Sequence, residues 1–127
     1  MWFYFWLCIN LFIFYIMTKY FKEIDDGNMN QEFLAKLDIA RGHAGIPFVI
    51  SSAYRTPEHN EEVGGAKDSA HLKGLAVDIK VYSSNQRYEI IRGLLFAGFH
   101  RIGIGKTFIH VDMDSSKAPR VIWDYYK

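Results

Sequence analysis

One cysteine, Cys8, stands in the 127 residues, and it lies inside an apolar run. That excludes a disulfide framework and a cysteine-held metal site. Charge of neither sign is in excess: 15 Lys and Arg face 14 Asp and Glu, interleaved and without a basic block. Nucleic acid is therefore not an expected partner. Internal repeats and a linker are also missing. With half its residues hydrophobic and 17% aromatic, the chain is not disordered in bulk, and its length suits one domain with one core and no covalent staples.

Residues 1–17 are apolar apart from Asn10, and eight of them are aromatic. A membrane helix needs roughly 20 apolar residues, so the run is borderline for spanning. No basic segment precedes it, no small-x-small cleavage site follows it, and the first lysines are Lys19 and Lys22. Three readings stand beside one another: an uncleaved anchor, a mis-called start with the true one at Met17, and a cleaved signal. We divide the chain into an apolar segment, 1–16, and a domain, 17–127. Membrane contact through 1–16 stays open, and with it the location: the cell envelope, or else the cytoplasm or release at lysis of a phage host.

The scaffold reads in order. Asn30 suits an N-cap, and Phe33, Leu34 and Leu37 follow at helical spacing, giving a helix over 30–42 with Gly42 or Gly45 as its stop. Residues 46–50 read as a short buried strand. Pro57 opens a short helix through Val63, and 64–69 is a loop. From Leu75 to Val81 apolar residues alternate with Ala76, Asp78 and Lys80, as in a half-buried strand. Ser83 with Gln86 fits a capping box, and Ile90, Ile91, Leu94 and Leu95 form a helical stripe ending at Gly98. Strands are expected over 99–104, 108–113 and 121–123, with Gly103 and Gly105 bracketing a reversal. The class is α+β: a small domain with a mainly antiparallel sheet and two or three helices.

Two stretches carry polar residues that this scaffold does not explain. In the strand at 75–81 the apolar set takes the core, so Asp78 projects from the other side. In 108–113, Ile109, Val111 and Met113 share one face, and His110 and Asp112 the other. If the two strands are neighbours, opposed Cβ atoms lie about 4.5–5.5 Å apart, within reach of one ion bound at about 2.0–2.2 Å. His71 enters from the loop before the strand, with Gly74 freeing the bend. Two His and one Asp leave a fourth position open, the pattern of a catalytic zinc. Taken singly, either His has an ordinary hydrogen-bonded role as its alternative. Asp78 does not, because an acid within an apolar strand needs a partner. His43, His59 and His100 lack such context and read as structural or solvated.

Ser69-x-His71-x-x-Gly74-x-Ala76-x-Asp78, with His110-x-Asp112 downstream, resembles the signature of the zinc D-Ala-D-Ala peptidase family, peptidase family M15, which includes D-Ala-D-Ala carboxypeptidases and phage endolysins. Ser52-Ala53-Tyr54-Arg55-Thr56-Pro57 and Ala97-Gly98-Phe99-x-Arg101-Ile102-Gly103 are similar to further segments of its compact carboxypeptidase-like branch. The likeness covers about residues 19–125, leaving out the first 16, which favours the start at Met17. It implies the family's zinc fold, shared with hedgehog domains, and zinc ligands at His71, Asp78 and His110. It also implies a substrate-binding arginine at Arg55, with Ser69 supporting His71 or lining the site, and peptidoglycan stem peptides as substrate. One position departs. Several members carry an acidic general base three residues before the last His, and Thr107 stands there. Asp112 is the best substitute as base, or else orients a ligand; Glu58 and Asp114 are remoter. The alternative to a peptidase is a non-catalytic zinc-containing domain that binds cell-wall peptides.

Overall fold

The computed structural model describes residues 19–126. Helix α1 spans Gln31–Ala44, strand β1 Ile50–Ser52, and helix α2 Pro57–Glu62. They are followed by strand β2 at Ala76–Lys80, helix α3 at Ser84–Phe96, and strands β3 Arg101–Ile104, β4 Phe108–Asp112 and β5 Val121–Asp124. The sheet has the order β1-β2-β4-β3-β5. All its neighbours run antiparallel except β3 and β5, which are parallel. The expected α+β class with a mainly antiparallel sheet is what the chain forms.

Local chemistry explains the boundaries. The Asn30 side chain accepts the Phe33 N–H and starts α1, and Gly45, in the left-handed region, ends it. The helix therefore runs past Gly42, two residues beyond the expected end. Thr56 caps α2 with Pro57 at its first position, and Ser83 accepts the Gln86 N–H to start α3. The Gln86 side chain returns to the Tyr82 N–H rather than to Ser83, one residue off a capping box.

Helices α1 and α3 cover one face of the sheet. Phe33, Leu34, Leu37 and Ala40 from α1 and Ile90 and Leu94 from α3 join Val77, Ile79, Ile102, Ile109 and Val111 in a single core. Each fully buried Leu, Ile or Phe contributes about 1.5–3 kcal/mol of transfer free energy. Asp38, buried on α1, accepts the backbone N–H groups of Lys19 and Tyr20 and so fastens the first described residues to the helix.

Three expectations need correction. The strand placed at 46–50 lies at Ile50–Ser52, because residues 46–49 descend toward the sheet: Phe48 enters the core while Val49 stays exposed. Gly103 does not bracket a reversal. It sits within β3, and the turn to β4 is closed by the Gly105 N–H on the Phe108 carbonyl. The strand expected from residue 99 begins at Arg101, since Phe99 buries its ring against Phe33. The apolar segment 1–16 lies outside the described residues, and within these no helix is long and apolar enough to cross a membrane.

Candidate metal centre

The face of the sheet turned away from the helices carries the polar chemistry. Strands β2 and β4 pair so that Asp78 stands directly opposite His110, the juxtaposition expected from alternation, and Ala76 stands opposite Asp112. His71 arrives not from an irregular loop but from a single 3-10 turn, Ala70–Lys73. The Ser69 hydroxyl caps that turn by accepting the His71 N–H. Gly74 ends it at φ 67°, where a Cβ would collide with the Asn28 carbonyl oxygen. Only glycine allows the chain to turn there into β2.

The three side chains converge. Asp78 Oδ1 lies 3.3 Å from His71 Nε2 and 3.0 Å from His110 Nδ1. One ligand atom of each residue lies within 4.8 Å of the other two, and among the described residues this is the group of His and carboxylates so arranged. Bonds of about 2.0–2.1 Å at tetrahedral angles put ligand atoms about 3.3 Å apart, so the spacing fits one zinc-sized ion. Nitrogen and carboxylate oxygen are also donors that zinc accepts.

The outward nitrogens are fixed as well. His71 Nδ1 faces the Ala53 carbonyl at 2.7 Å, which requires N–H there and turns the Nε2 lone pair inward. His110 Nε2 faces Asp112 Oδ2 at 2.8 Å, leaving Nδ1 for the centre. Such outer partners set the tautomer and aim of a metal-binding imidazole. Asp112 is itself held: its Oδ1 accepts Arg101 Nε at 2.7 Å and the Asp114 N–H at 3.1 Å.

Charges follow this network. Burial pushes the Asp78 carboxyl up, but hydrogen bonds from His110 and His71 outweigh it and hold it well below its ordinary range. Burial likewise raises Asp112, and His110 with Arg101 brings it below normal. His110 is pushed down by burial and raised further by Asp112 and Asp78, ending above its ordinary value.

The triad opens into a cleft of about 300 Å³. Arg55, Ser69, His71, Asp78, His110 and Asp112 all border it, so every site residue expected from sequence comes together. Arg55 gives Nη2 to Asp78 Oδ2 at 3.2 Å and Nε to the Ser52 hydroxyl at 2.9 Å. The remoter carboxylates do not reach the cleft. Glu58 is exposed on α2, and Asp114 is buried against Lys73 and Ser116. Thr107 sits in the β3–β4 turn, where its carbonyl accepts the Val81 N–H. His43 stacks on Phe96, His59 pairs with Glu62, and His100 Nδ1 accepts the Arg120 N–H, all away from the triad.

Sequence reasoning missed Trp123, Tyr125 and Phe108, which border the same cleft, and it gave Arg101 no role. The alternation that exposed Asp78 and His110 applies to Trp123 and Tyr125, but an aromatic at the end of a chain reads as core filling.

A small α+β domain presenting a His-Asp-His group on the open face of its sheet has the build of a metallohydrolase. The family model for Peptidase M15 matches residues 13–112, most of the chain, and the chain belongs to that family of zinc peptidases. No curated protein matches it.

Proposed function

We propose that the chain is a zinc metallopeptidase that hydrolyses peptidoglycan stem peptides, as a D-Ala-D-Ala carboxypeptidase or a murein endopeptidase. The observation that carries this is the convergence of His71 Nε2, Asp78 and His110 Nδ1 at the floor of a cleft that also holds Arg55. Zinc bound there supplies the Lewis acidity that lowers the pKa of a water and polarises a scissile carbonyl.

The chain's own residues do the rest. Arg55 stands on the β1 side of the triad, where its guanidinium pairs with Asp78 and borders the cleft. It serves to hold a substrate carboxylate or carbonyl oxygen through paired N–H groups. Ser69 acts through the turn it caps, setting the backbone that aims His71. Asp112 had two candidate roles, base and orienting residue. Both of its oxygens are engaged, one by Arg101 and the Asp114 N–H and the other by His110, which favours the orienting role.

The rival reading, a non-catalytic domain that binds cell-wall peptides, has one observation on its side. Among the described residues the carboxylates bordering the cleft are Asp78 and Asp112, and neither has a free oxygen. A digest of purified peptidoglycan by the zinc-loaded chain, with mass analysis of the products, decides between them and names the bond. Released D-Ala or a cut stem peptide is expected, and Asp78→Ala abolishes both metal binding and products. Intact peptidoglycan after long incubation with zinc bound would leave the binder, whose affinity Arg55→Ala should then weaken.

A further inference from the structure

We propose that Trp123, Tyr125 and Phe108 form an aromatic shelf that binds the substrate on the side of the triad away from Arg55. The shelf would recognise a C–H-rich face, either a sugar ring of the glycan strand or the aliphatic stem of a long amino-acid side chain. The inference rests on the peptidase reading and adds a second anchoring point to it.

The placement follows from the sheet. Asp78, His110, Gly103 and Trp123 are successive register partners across β2, β4, β3 and β5. Strands two apart are separated by about 10 Å, yet the Trp123 ring lies 5.6 Å from the His110 ring. The indole reaches back across β3 because residue 103 has no side chain. A Cβ there would stand 2.8 Å from Trp123 Cε2 and 2.6 Å from Tyr125 Cε2. Glycine at this position makes room for aromatic rings beside the triad.

The rings form a continuous wall. Trp123 and Tyr125 are 6.2 Å apart at 63°, and Tyr125 and Phe108 5.2 Å apart at 47°. Arg101, fixed by Asp112, places its guanidinium 5.2 Å from the indole and holds it in position. The shelf is open, with Tyr125 47% exposed, and it borders the cleft that holds the triad. Exposed rings that line a cleft at a reactive centre offer electron-rich faces, which attract polarised C–H groups. Arg55 lies toward β1 and the shelf toward β5, so a peptide crossing the triad meets a charged anchor on one side and an apolar one on the other. Trp123 and Tyr125 lie beyond the residues that the family model matches, whereas Phe108 and Gly103 lie within them.

The test compares a disaccharide-linked stem peptide with the same peptide freed of its sugars, using the full zinc-loaded chain and Tyr125→Ala. Loss of one aromatic contact should raise KM about three- to tenfold, with zinc content unchanged. Tyr125→Leu keeps apolar bulk but lacks a ring face, and it should behave like Tyr125→Ala; Trp123→Phe should retain most of the affinity. A KM effect confined to the disaccharide-linked substrate identifies a sugar, and an equal effect on both identifies a side chain. If the wild type cleaves and KM is unchanged on both substrates, the shelf is refuted while the peptidase reading stands. If the wild type does not cleave, the peptidase reading fails, and calorimetry with the same two ligands replaces KM. Weaker binding by Tyr125→Ala then upholds the shelf, and unaltered or absent binding overturns it.

Discussion

Replacing Asp112 with Asn changes one oxygen to an amide and leaves shape almost untouched, so its consequences are electrostatic. In the native chain Asp112 Oδ1 accepts from Arg101 at 2.7 Å and Oδ2 from His110 Nε2 at 2.8 Å, and Asp112 is 3% exposed. The amide can satisfy Arg101 with its oxygen, and its NH2 then faces His110 Nε2. That arrangement favours a bare Nε2 and moves the imidazole proton to Nδ1, the nitrogen that points into the centre. A protonated Nδ1 cannot bind metal. Loss of such an outer partner typically lowers metal affinity about 10- to 100-fold. The Arg101 charge, 8% exposed, also loses its counter-ion, and breaking a buried pair costs about 3–5 kcal/mol. With a neutral hydrogen bond retained, about 3 kcal/mol is expected, which lowers the melting temperature by about 10 °C. Zinc affinity is read by competition with a chromogenic chelator, and stability by thermal unfolding of the metal-free protein. If Asp112 is instead the base, zinc affinity stays within about twofold of wild type while turnover at saturating zinc collapses. That result would refute the orienting role.

Metal binding should weaken toward acid. His110 must surrender the Nδ1 proton to bind zinc, and its pKa is raised above 6.5. Apparent affinity should thus fall about tenfold per pH unit below that raised value, measured by chelator competition from pH 8 to 5. Asp114 provides a stability counterpart: burial opposes ionisation, but Ser116 and Lys73 hold its pKa down to about 2 against an ordinary 3.8. Because the folded value is the lower, its contribution of about 2 kcal/mol is complete above pH 4 and is lost as pH falls through 2. Asp114→Asn should therefore show a smaller difference in denaturation midpoint between pH 6 and pH 3 than the wild type. Gly103→Ala drives a methyl into Tyr125 and Trp123; a stability loss of about 1–3 kcal/mol, with an altered near-ultraviolet dichroism of the displaced rings, is the expected outcome.

The parts of the molecule legible from sequence were those governed by short-range rules. A capping Asn at 30, a proline at 57 and strict alternation over 75–81 each act within a few residues, and the elements they announce formed close to where expected. Alternation also fixed which side of β2 and β4 bears Asp78 and His110, and antiparallel pairing then made them partners. What was illegible depends on contacts remote in sequence. Residues 46–49 have the composition of a strand, but only the core decides that Phe48 is withdrawn from the sheet edge. The parallel docking of β5 on β3 leaves no local trace, and without it neither the route of Trp123 over Gly103 nor the stacking of Arg101 can be foreseen.

Thr107 gains meaning from the same sheet. Three residues before His110 lies not a strand position but the β3–β4 turn, at the end of the cross-strand row that holds Lys80 and Phe108. Thr107 is exposed there and borders a neighbouring hollow that Asp78, Lys80 and Phe108 also line, while Phe108 and Tyr125, rings 5.2 Å apart, border the cleft itself. A carboxylate introduced by Thr107→Glu then separates two explanations. If turnover is limited by the lack of a base, the variant raises kcat with zinc affinity unchanged. If the new carboxylate instead only disturbs the packing of Phe108 and Tyr125, kcat stays level and KM rises, and the wild-type chain must be completing proton transfer without a carboxylate at that position.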